Sequence, residues 1–155
     1  MLHGSKEREQ LFFDTFTPIS HVIGIERLIK IVEELDYEKL ANGTTDFSLT
    51  IDSYEKVSVK ICPRPFYMLQ IYPDGNIAPC DHLYNPNITC NVKTTGVIGA
   101  WQGSDFNSFR IKMLTNGAKH TTETCAKCGK YQNSIRDEEI LDGHEEKILH
   151  KMKVV

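Results

Sequence analysis

The sequence predicts an α+β fold: a small metal-binding domain built on a β-hairpin, preceded by helix and strand units. Three observations predict it. Helix-spaced apolar residues alternate with short strand-like runs along the chain. Asp74-Gly75 separates two such runs, and Asp-Gly is a strong hairpin signal because Gly accepts positive φ without steric cost. Cysteines stand near both open ends of that hairpin, at Cys62 and Cys80, and a C-x-x-C pair, Cys125 and Cys128, follows downstream. At 155 residues the chain is long enough for one modest core. Hydrophobic residues at 40% and charged residues at 25% place it among ordinary globular proteins rather than disordered ones. A net charge of −3 argues against nucleic acid and anionic membrane as partners. No apolar run reaches the roughly 20 residues needed to span a bilayer. The first residues are charged rather than apolar, so the expected location is the cytoplasm, where disulfides do not persist.

The elements follow in order. Residues 5–16 are rich in helix formers and present Leu11, Phe12 and Phe16 as a short apolar face. Thr17-Pro18 ends that helix, because Pro disfavours helical geometry in the residue before it. Residues 21–25 read as a short buried strand, and residues 26–40 as a loosely helical stretch. Asn42-Gly43 is a turn signal, and residues 47–51 alternate apolar and polar as a half-buried strand does. Residues 66–80 form the expected hairpin. Residues 101–114 read as a helix that buries Phe106, Phe109, Ile111 and Leu114. Residues 135–152 are strongly charged and interrupted by Gly143, which suits a peripheral helix or a frayed tail.

The hairpin can bring Cys62 close to Cys80, and C-x-x-C is short enough for both of its thiolates to face one centre. Together they make a four-thiolate set that suits either zinc or an iron–sulfur cluster, since both prefer sulfur ligands. A thioredoxin-like redox pair expects a strand before the motif and a helix starting within it, whereas residues 117–124 are polar and loop-like. A zinc ribbon expects a close first cysteine pair, which Cys62 and Cys80 are not. Four buried structural cysteines are the plainest competing reading.

The stretch from Cys62 to Cys80 resembles the opening of the SPASM domain, the C-terminal extension of many radical S-adenosylmethionine (SAM) enzymes. In that family a Cys, a spacer, a Gly, four residues and a second Cys follow one another. Here the spacer is twelve residues, then Gly75, four residues and Cys80. Asn91-Val92, Gly99-Ala-Trp101-Gln-Gly103 and Phe109-Arg110-Ile-Lys-Met113-Leu114 are similar to further family motifs, and Cys125-x-x-Cys128 closes the pattern. The resemblance implies that residues 61–131 form a domain in which Cys62, Cys80, Cys125 and Cys128 hold one auxiliary 4Fe–4S cluster. It implies a role in electron transfer or substrate positioning within a radical SAM oxidoreductase or maturase acting on a peptide or other protein substrate. Residues 1–60 then look like the last units of a partial βα barrel plus a linker, and residues 132–155 like a charged C-terminal helix or tail.

Two departures bear on this expectation. Ser134 stands where larger members of the family carry another cysteine, which points to the single-cluster type. The SAM-cleaving motif C-x-x-x-C-x-x-C is absent from the sequence. The chain is therefore expected to be inactive alone, as a portion of a longer enzyme whose barrel binds SAM. The alternative expectation is a structural zinc module for protein interaction, with zinc also able to substitute in the same thiolates.

Other residues have plainer roles. Cys90 falls where the family has Gly, so it reads as a small turn residue rather than a ligand. His82, two residues after Cys80, reads as a loop histidine that would become a ligand only with zinc. Trp101, Phe106 and Phe109 are expected in the core rather than as a substrate platform. Arg64 and Lys127 flank proposed ligands and are expected to be solvated charges.

Overall fold

A computed structural model describes residues 5–41, 46–52, 54–82, 84–86 and 88–153. The expected first helix forms as α1, Lys6–Phe16, with the Ser5 hydroxyl capping it by accepting from the Arg8 N–H. Pro18 then leads a single 3-10 turn, Thr17–Ile19. The expected strand at 21–25 is absent: no neighbouring strand pairs with it, and Val22 is 92% exposed. The expected helix over 26–40 is reduced to α2, Tyr37–Ala41. Its β-branched residues resist helix, and the backbone finds other partners instead. Ile31 and Val32 donate their N–H groups to the Tyr37 hydroxyl, and Arg27 donates to the Ile51 carbonyl. The turn expected at Asn42-Gly43 lies outside the described residues. Residues 47–51 form a tight bend with a single bridge between Leu49 and Glu55, not a strand.

The hairpin is present and shorter than expected. Prolines 63 and 65 start a one-turn helix, α3, Arg64–Tyr67, which takes up the first residues assigned to the strand. β1, Gln70–Ile71, then pairs antiparallel with β2, Asn76–Ala78, in the register Gln70 to Ala78 and Ile71 to Ile77. Gly75 turns the chain at φ +88° while the Asp74 carboxylate accepts from the Asn76 N–H. A third strand not expected from the sequence, β3, Ile88–Asn91, extends the sheet antiparallel to β2.

The stretch expected as one helix over 101–114 is two. α4, Val92–Gln102, is broken at Gly96, and α5, Ser104–Asn116, starts after Gly103. α5 buries Phe106, Phe109, Arg110, Met113 and Leu114. The four apolar ones join Ile61, Ile77, Ile88, Tyr131 and Ile135 in the core. Two short helices follow, α6, Glu123–Lys127, and α7, Lys130–Asn133. The charged C-terminal stretch ends in α8, Glu145–Lys153, whose Ile148, Leu149 and Met152 pack on the core. Helices around a three-stranded antiparallel sheet make the α+β class that the sequence predicts. Among the described residues, no helix is long and apolar enough to cross a membrane.

Candidate metal centre

The four cysteines arrive at one cavity from three segments. Cys62 precedes α3, Cys80 follows β2 by two residues, and Cys125 and Cys128 sit in and at the end of α6. All four line the same cavity, beside Pro79, Phe109, Met113 and Tyr131. Local chemistry fixes each segment. The Thr122 hydroxyl accepts the Cys125 N–H and starts α6, and Cys128 closes it by donating its N–H to the Cys125 carbonyl. Gly129 then passes so close to the Lys30 carbonyl that a Cβ there would lie 2.3 Å from its oxygen. That contact, with the Gly129 N–H donating to Ile31 and the Asn133 amide donating to Lys30, seats residues 30–31 against the knuckle.

Burial pushes all four thiols above the ordinary cysteine range. Cys62 is raised furthest, Cys80 to about 11, and Cys125 and Cys128 also upward. Negative charge on neighbouring cysteines would raise each of Cys62, Cys80 and Cys125 further. Backbone groups oppose this at Arg64, His82 and Lys130, each two residues beyond a cysteine. Four thiolates therefore do not gather here without a cationic centre to compensate them, which is what a metal site supplies. The donor set fits a thiolate-bound metal group. Among the described residues, no three His, Cys, Asp or Glu side chains converge as a single metal ion requires.

A salt-bridge network ties the ligand segments together at the edge of the cavity. The Asp81 carboxylate receives Arg64 at 2.7 Å and Lys130 at 2.7 Å. Burial alone would raise the Asp81 carboxyl, but hydrogen bonding and charge from Lys130 and Arg64 outweigh it and hold it below the usual range. Arg64 is thus paired rather than freely solvated, and its second nitrogen donates to the Ser134 hydroxyl at 2.7 Å. Ser134 in turn donates to the Lys130 carbonyl, so the missing cysteine's place is taken by a hydrogen-bonding strut. Lys127 points elsewhere and pairs with Glu123 on the surface.

The remaining residues sort clearly. His82 is buried and lines the cavity, but both ring nitrogens face main chain: Nδ1 accepts from the Tyr84 N–H at 3.1 Å and Nε2 lies 3.5 Å from the Ile31 carbonyl. Cys90 lies on β3 away from the cavity, with its sulfur 3.5 Å from the Thr95 hydroxyl. Phe106 and Phe109 are core residues, and Trp101 packs against that core. Two residues that sequence reasoning missed support the site. Arg110 donates to the Pro65 carbonyl just beyond Cys62. Asn85 accepts from the Cys80 thiol. Arg110 was visible only inside a family motif, and Asn85 carried no spacing signal at all.

Residues 62–129 match a family model described as an iron–sulfur cluster-binding domain. The match starts at Cys62 and runs one residue past Cys128, so it includes all four cavity cysteines. No curated protein and no solved structure matches the chain.

Proposed function

We propose that residues 62–129, which match the family model of the SPASM iron–sulfur cluster-binding domain, form such a domain, and that Cys62, Cys80, Cys125 and Cys128 hold one auxiliary 4Fe–4S cluster in a radical SAM oxidoreductase or maturase. The observation that carries this reading is the meeting of four half-buried thiols, from three segments, in one cavity. Four sulfur ligands leave no iron position open, which favours electron transfer over direct binding of substrate. When bound, the cluster supplies a one-electron acceptor or donor. The chain's own residues exclude water through Pro79, Phe109 and Met113, and hold the ligand segments in place through Asp81, Arg64 and Lys130. The SAM-cleaving motif belongs to a radical SAM barrel, the partner of this domain, and the substrate class is a peptide or protein.

A zinc site needs its sulfurs at about 2.3 Å from one point. Zinc in the same four thiolates is the competing occupant, and the metal content of the loaded protein separates the two. The test is anaerobic reconstitution with iron and sulfide. The expected product is brown, contains about four irons per chain, and bleaches with dithionite. Replacing any one of Cys62, Cys80, Cys125 or Cys128 by Ala lowers iron content and destabilises what remains, while Cys90→Ser leaves it unchanged. A colourless protein that takes up one zinc and no iron overturns the proposal.

A further inference from the structure

Asn85 sits between a proposed ligand and the sheet. Its Oδ1 lies 3.7 Å from the Cys80 sulfur, and its Nδ2 meets the Tyr72 hydroxyl. Its backbone is held from the other side, because the residue before a proline is restricted to extended geometry and Pro86 is buried in the cavity wall. Asn85 and Tyr72 also line a groove of about 720 Å³ between the sheet and helices α4 and α5. The amide thus meets the Cys80 sulfur on one side and the open groove on the other.

In the metal-free arrangement the Cys80 thiol donates to the Asn85 oxygen. A sulfur bound to iron carries no proton to donate. Leaving the amide oxygen against that electron-rich sulfur would set two acceptors face to face. Half a turn about the Cβ–Cγ bond removes the conflict, since the oxygen and nitrogen ends of the amide are nearly the same size. The N–H then donates to sulfur, and the Tyr72 hydroxyl, able to give or accept, donates to the amide oxygen. Every polar atom keeps a partner.

We propose that Asn85, oriented by Tyr72, donates a hydrogen bond to the Cys80 sulfur in the cluster-loaded protein and so raises the cluster's reduction potential. This rests on the cluster reading above. Its physical basis is that a donor to a ligand sulfur stabilises the reduced, more negative state over the oxidised one, and hydrogen bonds to sulfur are among the controls on cluster potential. Asn85 is a positioning residue and touches no substrate.

The experiment is a redox titration of the reconstituted full chain, monitored by electron paramagnetic resonance, with iron content measured for every sample. For Asn85→Ala the expected result is unchanged iron content and a reduced-to-oxidised ratio about tenfold lower at a fixed potential, about 59 mV for a one-electron couple. Asn85→Leu separates a donor from a spacer. It keeps the branched shape but brings neither a donor nor a charge, so it lowers the potential as Ala does, whereas a purely structural role predicts a value near the parent. Tyr72→Phe shifts the potential in the same direction by less. Should Asn85→Ala fail to load, the Tyr72→Phe and Asn85→Leu samples decide the matter. Potentials equal to the parent in loaded variants overturn the inference and leave the cluster reading standing. A parent protein that binds no iron overturns both, and that failure is visible before any variant is made.

Discussion

Arg110 carries a charge in a place where charges are costly. Its residue is 6% exposed, and its guanidinium lies 3.9 Å from the Trp101 ring centre and 4.1 Å from that of Phe106. Desolvation lowers its pKa to about 10, which leaves it cationic at neutral pH. What keeps it there is a set of fixed acceptors: the Pro65 and Trp101 carbonyls and the Asn107 amide oxygen, at 2.7–2.9 Å. Arg110→Ala leaves two buried carbonyls without their donor and opens a void between two rings. The expected loss is about 2–4 kcal/mol by urea denaturation. Arg110→Lys recovers little of it, because an ammonium cannot stack flat between rings or donate in the same fork. The sequence displays the cysteines plainly, since C-x-x-C and the Cys-to-Gly-to-Cys spacing are local features. It hides Arg110 as a ligand-loop anchor, because the partner carbonyl at Pro65 lies 45 residues earlier and a carbonyl has no residue-type signature. Asn85 is hidden for another reason: it meets the Cys80 sulfur and the Tyr72 hydroxyl from an irregular loop that carries no periodicity or motif.

Among the elements, the hairpin depends most sharply on one residue. A side chain at position 75 would place its Cβ 2.5 Å from the Asn91 amide oxygen, at a backbone φ of +88°. Gly75→Ala therefore combines left-handed strain with a clash against β3. The expected cost is about 2 kcal/mol or more, read as a lower thermal midpoint, with Cys80 displaced and cluster uptake slowed. Local chemistry decided this element, and so the sequence reveals it. The opposite holds for residues 21–40. Their apolar pattern suggests a strand and then a helix, but their conformation is held locally by the Tyr37 hydroxyl and, from about a hundred residues away, by Gly129 and Asn133, whose hydrogen bonds no short window contains. β3 escapes notice for a related reason. Four residues after a proline-rich loop become a strand only because β2 presents an unpaired edge. The helix expected over 101–114 has the right buried face, with Phe106, Phe109 and Leu114 in the core, while Ile111 stays 39% exposed and the start shifts to Ser104.

On the scale of the whole molecule, the C-terminal region buttresses the first ligand. The Asp142 carboxylate accepts the N–H groups of Lys60 at 2.8 Å and Ile61 at 3.0 Å, immediately before Cys62. α8 covers the neighbouring core with Ile148, Leu149 and Met152. Asp142→Ala is expected to cost about 1–3 kcal/mol, because it orphans two main-chain donors. It should also speed cluster loss on exposure to a chelator, measured as the decay of visible absorbance. Asp142→Asn, with one acceptor oxygen remaining, falls between. Removing the cluster from the parent protein lowers its thermal midpoint, since a group that binds only the assembled site stabilises the fold it binds. The reach of Asp142 across 81 and 82 positions also sets an order of events during synthesis. A ribosome that has made Cys128 has joined every sulfur to the chain, yet the segment carrying Cys62 still lacks the carboxylate that steadies it. The pocket that gathers the four thiols is therefore completed only after Asp142 has been made and has docked on the Lys60 and Ile61 N–H groups.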